Sequence, residues 1–285
     1  MARLTDVQAR VLAAKMQPAL GVTVLVENKP GASTILGVQE LLKSAPDGHT
    51  ILYTISVTTG QNPHLFTKLP YDPLKDLVPV MFAARSSTVL IVPAASPFNT
   101  VKDLVDYAKA NPNKLNYASF SLGSTSHLVA EMLQHATGTK MTHVPFKGSA
   151  AVGVALIGGQ VDFLFDGPTT ALNFAKAGRV KMLAYTDTKP YRALGKLPNM
   201  AQSGYAGVDV SGGMQFFGPK GMPADTAAKV NAAIAAAMKN PEVEKLFIDG
   251  GTEIVASSPA EHAVMVKSMY DTFGEVIRRV GVKLD

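Results

Sequence analysis

The chain has 285 residues and a formal net charge of +5; 47% of its residues are hydrophobic and 17% are charged. This composition is typical of a globular protein with a substantial core, and it excludes a disordered tail. Cysteine is absent, which excludes disulfides, thiolate metal sites and cysteine nucleophiles. The lysines and arginines form no basic stripe, so we expect no nucleic-acid partner. The mild positive surplus suits a small anionic ligand better.

The length of the chain exceeds the usual size of one domain, so we expect two domains of ordinary size or one large domain. The sequence contains no run of about 18 apolar residues. Its first ten residues, MARLTDVQAR, lack the apolar stretch of a signal peptide. We therefore expect neither a membrane span nor an export address in the sequence as written.

Capping signals and hydrophobic periodicity predict that helices and strands alternate along the first 110 residues. Thr5 and Gln8 have the spacing of a capping box, and apolar residues recur behind them at helical spacing until Gly21. Thr100 and Asp103 mark the start of a later helix in the same way. The predicted elements are helices over 5–20, 33–44 and 100–110, and strands over 22–27, 50–56, 78–84 and 88–92.

The rest of the chain continues the alternation. Strands are predicted over 115–119, 141–145, 161–165 and 180–186, and helices over 125–137, 149–157 and 168–176. The tail predicts strands over 214–218 and 253–255, helices over 225–238 and 242–249, and a last helix that begins with a capping box of Ser258 and Glu261. This pattern predicts an α/β fold with mixed, mostly parallel sheets flanked by helices.

Proline and glycine gather at two places, near 93–97 and 218–223. Both places are typical of chain crossings between domains. We therefore expect two lobes. Lobe 1 comprises residues 1–99 and 211–285, lobe 2 is the inserted segment 100–210, and a ligand cleft lies between them.

The stretch NYASFSLGSTSHLVAEML, residues 116–133, leads from a predicted strand into a predicted helix through hydroxyls and glycine. In open α/β sheets, ligands sit beyond the carboxyl ends of the strands. A helix N-terminus at that place has unpaired N–H groups and partial positive charge, so Gly123, Ser124 and Thr125 are candidates to hold an anion. The alternative, that Ser124 or Thr125 only caps its own helix, stays open at this point.

Other predicted strand ends carry comparable residues. Ser56 and Thr58 follow one strand, and Phe146 and Lys147 follow another. Lys147 either faces the ligand as a counter-ion or is solvated. Asp166, after a third strand, either binds an amine or hydroxyl of the ligand or caps the helix that starts near residue 168.

Short motifs of a characteristic order and spacing run along nearly the whole chain. They are Val26-Glu27-Asn28-Lys29-Pro30-Gly31-Ala32, Pro46-Asp47-Gly48-His49-Thr50, Leu69-Pro70-Tyr71-Asp72-Pro73, Tyr117-Ala118-Ser119 with Gly123-Ser124 and His127-Leu128, His143-Val144-Pro145-Phe146-Lys147-Gly148, Gly158-Gly159-Gln160-Val161-Asp162 and Gly178-Arg179-Val180-Lys181. Together they resemble the Bug family, the periplasmic solute-binding proteins of tripartite tricarboxylate transporters.

What the resemblance implies is a two-lobed Venus-flytrap fold of the type II periplasmic-binding-protein class. Such a protein would capture a small carboxylate or dicarboxylate in the periplasm and hand it to membrane-embedded transporter subunits, without a cofactor or a metal. The family's ligand loop before the middle-domain helix maps onto residues 119–125. The candidate ligand-binding residues are therefore Ser56, Thr58, Ser119, Ser121, Gly123, Ser124, Thr125, Phe146, Lys147 and Asp166.

One departure from the family pattern concerns lobe 1. The family has a first strand and a glycine pair just before the Thr-Asp motif, and here Ala2 and Arg3 stand at the place of the glycines. The resemblance therefore implies that lobe 1 lacks its first strand in this sequence.

An enzyme is the main alternative, because Ser124, His127 and Asp166 have the residue types of a hydrolase triad. The sequence around Ser124 lacks the last glycine of a nucleophile elbow, and His127, on the same predicted helix, is expected to bond locally.

A second alternative, the ligand-sensing domain of a transcription regulator, requires a helix-turn-helix that we do not find ahead of lobe 1. The histidines show no metal-ligand spacing. We therefore expect a binding protein and no enzymatic activity.

Overall fold

The computed structural model describes residues 4–146 and 149–284. Its helices are α1 Leu4–Leu20, α2 Ile35–Leu42, α3 Asn62–Leu65, α4 Val101–Ala110, α5 Thr125–Thr137, α6 Ser149–Ile157, α7 Pro168–Lys176, α8 Ala224–Met238, α9 Pro241–Asp249 and α10 Pro259–Val280. Its strands are β1 Leu52–Ile55, β2 Leu77–Ser86, β3 Val89–Pro93, β4 Asn116–Ser119, β5 Thr142–Pro145, β6 Phe163–Asp166, β7 Val180–Tyr185, β8 Gly212–Pro219 and β9 Glu253–Ile254. Within these ranges, no helix is both long and apolar enough to cross a bilayer.

The described chain forms two compact units. Unit 1 contains the residues up to Arg85 together with Gly212–Glu275, and unit 2 contains Ser86–Ser211 and Val276–Leu284. The lobe boundaries predicted after residues 99 and 210 stay a prediction.

The sheet of unit 2 has the strand order β5-β4-β6-β3-β7. Strand β4 is parallel to β5 and β6, whereas β3 is antiparallel to both β6 and β7. Residue Val89, the first of β3, pairs with Asp166 on one side and with Tyr185 on the other. Because β3 runs against its neighbours, its first residues lie at the edge where β4, β5, β6 and β7 end. We call this edge of the unit 2 sheet the carboxyl edge.

The sheet of unit 1 has the strand order β1-β8-β2-β9. Strand β8 is antiparallel to β1, with Leu52 opposite Phe217, and β9 is antiparallel to β2. The predicted α/β class with helix-flanked sheets is confirmed. The strand directions are more mixed than the alternation predicts, because β3 and β8 both return against a neighbouring strand.

Each unit encloses its own apolar core. In unit 1, Leu12 of α1, Ile234 of α8 and Phe247 of α9 are fully buried against Val80 of the sheet. In unit 2, a separate cluster packs Ala118 and Leu164 of the sheet against residues of α6 and α7. Burial of one large apolar side chain contributes about 1.5–3 kcal/mol, so these helix faces hold the sheets in place.

The predicted capping boxes have different outcomes. In α4, Asp103 N donates to Thr100 Oγ1 at 3.1 Å and Thr100 N donates to Asp103 Oδ2 at 2.9 Å, and a box of the same kind precedes α10. Both predictions are confirmed. The box at Thr5 is wrong, because α1 already begins at Leu4 and Gln8 is fully buried, where its Oε1 accepts a hydrogen bond from Tyr53 at 3.0 Å.

The strand predicted over residues 22–27 is also wrong, since the described chain shows no strand pairing there. Val24 and Val26 are half-buried and alternate with Leu25, which is 83% exposed. The side chains of this segment are therefore alternately half-buried and exposed, as in a strand. What the segment lacks among the described residues is a neighbouring strand to complete a ladder.

A close approach within unit 1 gives the first testable prediction. A Cβ atom on Gly213 of β8 would overlap the carbonyl oxygen of Ala84 and the ring of Phe82. We expect Gly213→Ala to lower the free energy of unfolding by about 1–3 kcal/mol, because a packed strand cannot move aside without strain. Gly167→Ala is the matched control, since a Cβ there has open space and φ is −64°. Urea denaturation checks both, and equal stabilities for the two variants would contradict the packing.

Candidate functional site

The carboxyl edge of unit 2 collects buried polar side chains. Each is at most 9% exposed: Ser87, Thr88, Ser119, Ser126, His127, Asp166, Thr186 and Asp187. Such groups lower stability unless they are hydrogen-bonded, so a concentration of them at one edge points to a functional requirement. The N-termini of two helices, α5 and α7, lie directly after strands that end at this edge.

The loop from Ser119 to Ser124, between β4 and α5, folds around the carbonyl oxygen of Ser121. Ser119 Oγ donates to this oxygen at 3.0 Å, Ser124 Oγ at 2.7 Å and Ser124 N at 3.2 Å. Gly123 has a φ of 73°, a conformation that glycine adopts without strain. Three donors converging on one acceptor give the loop a definite shape. Ser119, Ser121, Gly123 and Ser124 are thus brought together in space.

Ser124 occupies the N-cap position of α5, but its side chain makes no cap hydrogen bond. Its Oγ turns instead to Ser121 and to Ser126 Oγ, at 3.0 Å from the latter. Ser126 Oγ in turn accepts from Phe120 N at 3.1 Å. The hydroxyls therefore shape the loop, and the first turn of α5 keeps the partial positive charge of a helix N-terminus. Thr125 is the first residue of this helix.

Two histidines lie under the loop and touch both of its ends. Gly123 N donates to His127 Nδ1 at 3.2 Å, and Ser119 Oγ lies 2.7 Å from His143 Nε2. The two rings are stacked, with centroids 4.0 Å apart and planes inclined by 13°. Burial lowers the pKa of each imidazole to about 4, so both are neutral near pH 7.

Asp166 lies at the end of β6 and is 2% exposed. Its Oδ1 accepts from Gly167 N at 2.6 Å, whereas its Oδ2 has no hydrogen-bond partner among the described residues. Burial raises its pKa from 3.8 to about 7. The N-cap of α7 is Gly167, which has no side chain to cap the helix. Both interpretations of Asp166, ligand contact and capping, stay predictions.

The hydrolase arrangement does not form around Ser124. The hydroxyl of Ser124 bonds to Ser121 and Ser126, and His127 Nδ1 accepts from Gly123. The other ring nitrogen of His127 lies 3.9 Å from Glu131 Oε1, a distance too long for a hydrogen bond. A nucleophile must be hydrogen-bonded to its base. The hydrogen bonds of the described residues do not join Ser124 to His127.

The candidates at the end of β5 are only partly described. Phe146 is half-buried, and its N–H donates to the Ser119 carbonyl oxygen at 3.0 Å, which ties this segment to β4. Lys147 lies outside the described residues. Its two interpretations, counter-ion and solvated lysine, both stay predictions.

Ser56 and Thr58 belong to unit 1 and are buried. Ser56 Oγ donates to the Gly213 carbonyl oxygen at 3.1 Å and accepts from Gln215 Nε2 at 3.0 Å. Thr58 Oγ1 lies 2.8 Å from Thr34 Oγ1, and the φ of Thr34 is 78°, a value that β-branched residues rarely adopt. These hydroxyls support the backbone of unit 1. Their contact with a ligand stays a prediction.

Sequence reasoning missed the pairing of His127 with His143. It expected His127 to bond locally at the start of its helix, and it treated His143 as an isolated structural or surface histidine because no metal-ligand spacing includes it. The parallel pairing of β4 with β5 places His143 beside Tyr117, and the first turn of α5 places His127 above them. No group of three or more His, Cys, Asp or Glu side chains arranged to hold a metal ion occurs in the described ranges.

The raised pKa of Asp166 gives a prediction about stability. In the folded protein the carboxyl group stays protonated to about pH 7, whereas in the unfolded chain it ionises near pH 4. Compared with Asp166→Asn, the wild type should therefore lose stability as the pH rises from 4 to 7, by up to about 4 kcal/mol. Chemical denaturation at a series of pH values measures this difference. Parallel curves for wild type and Asp166→Asn would contradict the assignment.

Comparison with known proteins identifies the family. The model of the TctC family, "Tripartite tricarboxylate transporter family receptor", matches residues 8–282. BugT of Bordetella pertussis is 30% identical over 98% of this chain and 86% of its own length. The structure of the periplasmic binding protein BugD is 31% identical and covers 99% of this chain and 95% of its own, with a TM-score of 0.80. An R. palustris protein solved with adipate is 28% identical and covers 98% of this chain and 93% of its own, with a TM-score of 0.83.

The sequence match extends over both units, and the structural similarity covers almost every residue. The resemblance to the Bug proteins found in the sequence is therefore confirmed. This chain belongs to the TctC family of tripartite tricarboxylate transporter receptors.

Proposed function

We propose that this receptor captures a small organic carboxylate or dicarboxylate at the carboxyl edge of unit 2. The observation that carries the proposal is the loop of residues 119–125, whose hydroxyls are folded against the N-terminus of α5. The first N–H groups of a helix and its partial positive charge favour an anion. A carboxylate is a small anion that these donors can bind. It also agrees with the family, whose members are receptors of tripartite tricarboxylate transporters.

The affinity of such a site requires several contacts at once. One helix-terminus contact contributes about 0.3–1 kcal/mol at an exposed surface, whereas micromolar binding needs about 8 kcal/mol. A second helix, α7, begins at the same edge, next to the buried carboxyl group of Asp166. We infer that the ligand engages both helix starts, with the buried surroundings strengthening each interaction. The predicted cleft between two lobes stays a prediction.

The comparisons support the ligand class and the location. The R. palustris relative was solved with adipate, a six-carbon dicarboxylate, and BugD is a periplasmic binding protein. The family is that of receptors for tripartite tricarboxylate transporters. We infer that this protein works in the periplasm and delivers its ligand to the membrane subunits of such a transporter.

A role in binding is favoured over catalysis. The hydrogen bonds of Ser124 and His127 go to the loop itself and do not join this serine to this histidine. The matched family consists of receptors, which also favours a transport role over that of a regulator's sensing domain. We therefore propose a solute-binding protein without enzymatic activity.

The double variant Ser124→Ala/Thr125→Ala tests the site. We expect adipate or the best ligand from a thermal-shift screen of carboxylates to bind it at least about tenfold more weakly, because two hydroxyls at the start of α5 are lost. Isothermal titration calorimetry gives the dissociation constants, and the melting temperature shows whether the variant remains folded.

The control is Thr142→Ala, which removes an exposed hydroxyl at the opposite, amino end of β5. It should bind like the wild type. An unchanged affinity of the double variant would contradict the location of the site. The absence of any carboxylate that stabilises the wild type would contradict the proposed ligand class.

A further inference from the structure

The strongest unassigned feature of unit 2 is the stacked pair formed by His127 and His143, which we call the histidine pair. Its rings are 4.0 Å apart and continue into Tyr117, whose ring centroid is 4.9 Å from that of His143. His127 is 3% exposed, and Tyr117 is fully buried. His143 is half-buried. The stack therefore extends from the interior of unit 2 to a half-buried position beside the loop of residues 119–123.

The hydrogen bonds of the histidine pair have defined directions. Because Gly123 N–H donates to His127 Nδ1, that nitrogen must be unprotonated, and the neutral ring carries its hydrogen on Nε2. Ser119 Oγ donates its one hydrogen to the Ser121 carbonyl, so towards His143 it can only accept. His143 Nε2 therefore donates. One ring accepts from one end of the loop and the other ring donates to the opposite end.

Further contacts fix the stack in unit 2. Tyr117 donates its hydroxyl hydrogen to Glu131, and Gln134 Nε2 donates to the same carboxylate at 2.8 Å. Gln134 Oε1 accepts from Met141 N at 2.6 Å, just before β5 begins. These bonds connect α5 to the strands on which Tyr117 and His143 stand.

We propose that His127 and His143 are positioning residues that hold the ligand loop in its binding shape through Gly123 and Ser119. This inference rests on the proposed carboxylate site. The two imidazoles do not need to touch the ligand. Burial keeps both rings neutral at physiological pH, so His127 retains the acceptor that the Gly123 amide requires.

A purely structural role predicts that only the ring shape matters, whereas positioning predicts that the ring nitrogens matter. Paired substitutions separate the two. His127→Phe keeps an aromatic ring in the stack but removes the acceptor, and His127→Asn removes the ring but places an oxygen near the Nδ1 position. His143→Phe and His143→Gln make the same comparison at Ser119. His135→Phe, on the exposed side of α5, is the control.

Adipate is the probe, and titration calorimetry and melting temperature are measured for each variant. We expect both phenylalanine variants to bind adipate about tenfold more weakly, whereas His127→Asn, His143→Gln and the control stay within about threefold of wild type. Wild-type affinity in both phenylalanine variants would overturn the inference. Affinities as weak for His127→Asn and His143→Gln as for the phenylalanine variants would overturn it too.

A second measurement, amide hydrogen exchange, needs no ligand. It can therefore be made on a variant whose affinity cannot be measured. Amide hydrogen exchange at Gly123 should be slow in the wild type and in His127→Asn, and at least about tenfold faster in His127→Phe. Equal exchange rates in the wild type and His127→Phe would overturn the inference. If the wild type binds no carboxylate, the proposed function fails, and the exchange rates still decide whether the histidine pair holds the loop.

Discussion

The strand directions in the sheet of unit 2 determine where the candidate residues lie, because the parallel strands β4 and β6 both end at the carboxyl edge. Because β3 runs antiparallel between β6 and β7, its first residues meet the last residues of the other strands at one edge. Polar side chains from several separate segments are thereby buried together, and each of them requires a hydrogen-bond partner. The loop before α5 meets this requirement by folding on the Ser121 carbonyl and on the two histidines. In this loop conformation the first turn of α5 retains the partial positive charge of a helix N-terminus.

Burial shifts the pKa values of three titratable groups near this edge. The carboxyl group of Asp166 has its pKa raised, and the imidazoles of His127 and His143 have theirs lowered, with burial as the leading cause in all three. All three groups therefore favour the neutral form when the protein folds. Below about pH 7 the carboxyl group of Asp166 therefore adds no negative charge beside the N-terminus of α7.

Local signals in the sequence predicted much of unit 2. The bounds of α5, α6 and α7 agree with the helices expected from capping and periodicity, and the Thr100 box forms as predicted. Strand direction could not be predicted as well, because the alternation of helices and strands does not reveal that β3 is antiparallel to β6. The segment over residues 22–27 failed for a related reason: a strand needs a neighbour, and its own sequence does not encode one. The histidine pair depends on the register of β4 with β5, which only the folded sheet shows.

A crystal structure of the protein with adipate tests the candidate site most directly. We expect one carboxylate of the ligand to lie within hydrogen-bonding distance of main-chain N–H groups in the loop of residues 119–125 or the first turn of α5. A ligand bound without contact to this segment, or one whose carboxylates are held entirely by side chains elsewhere, would contradict it.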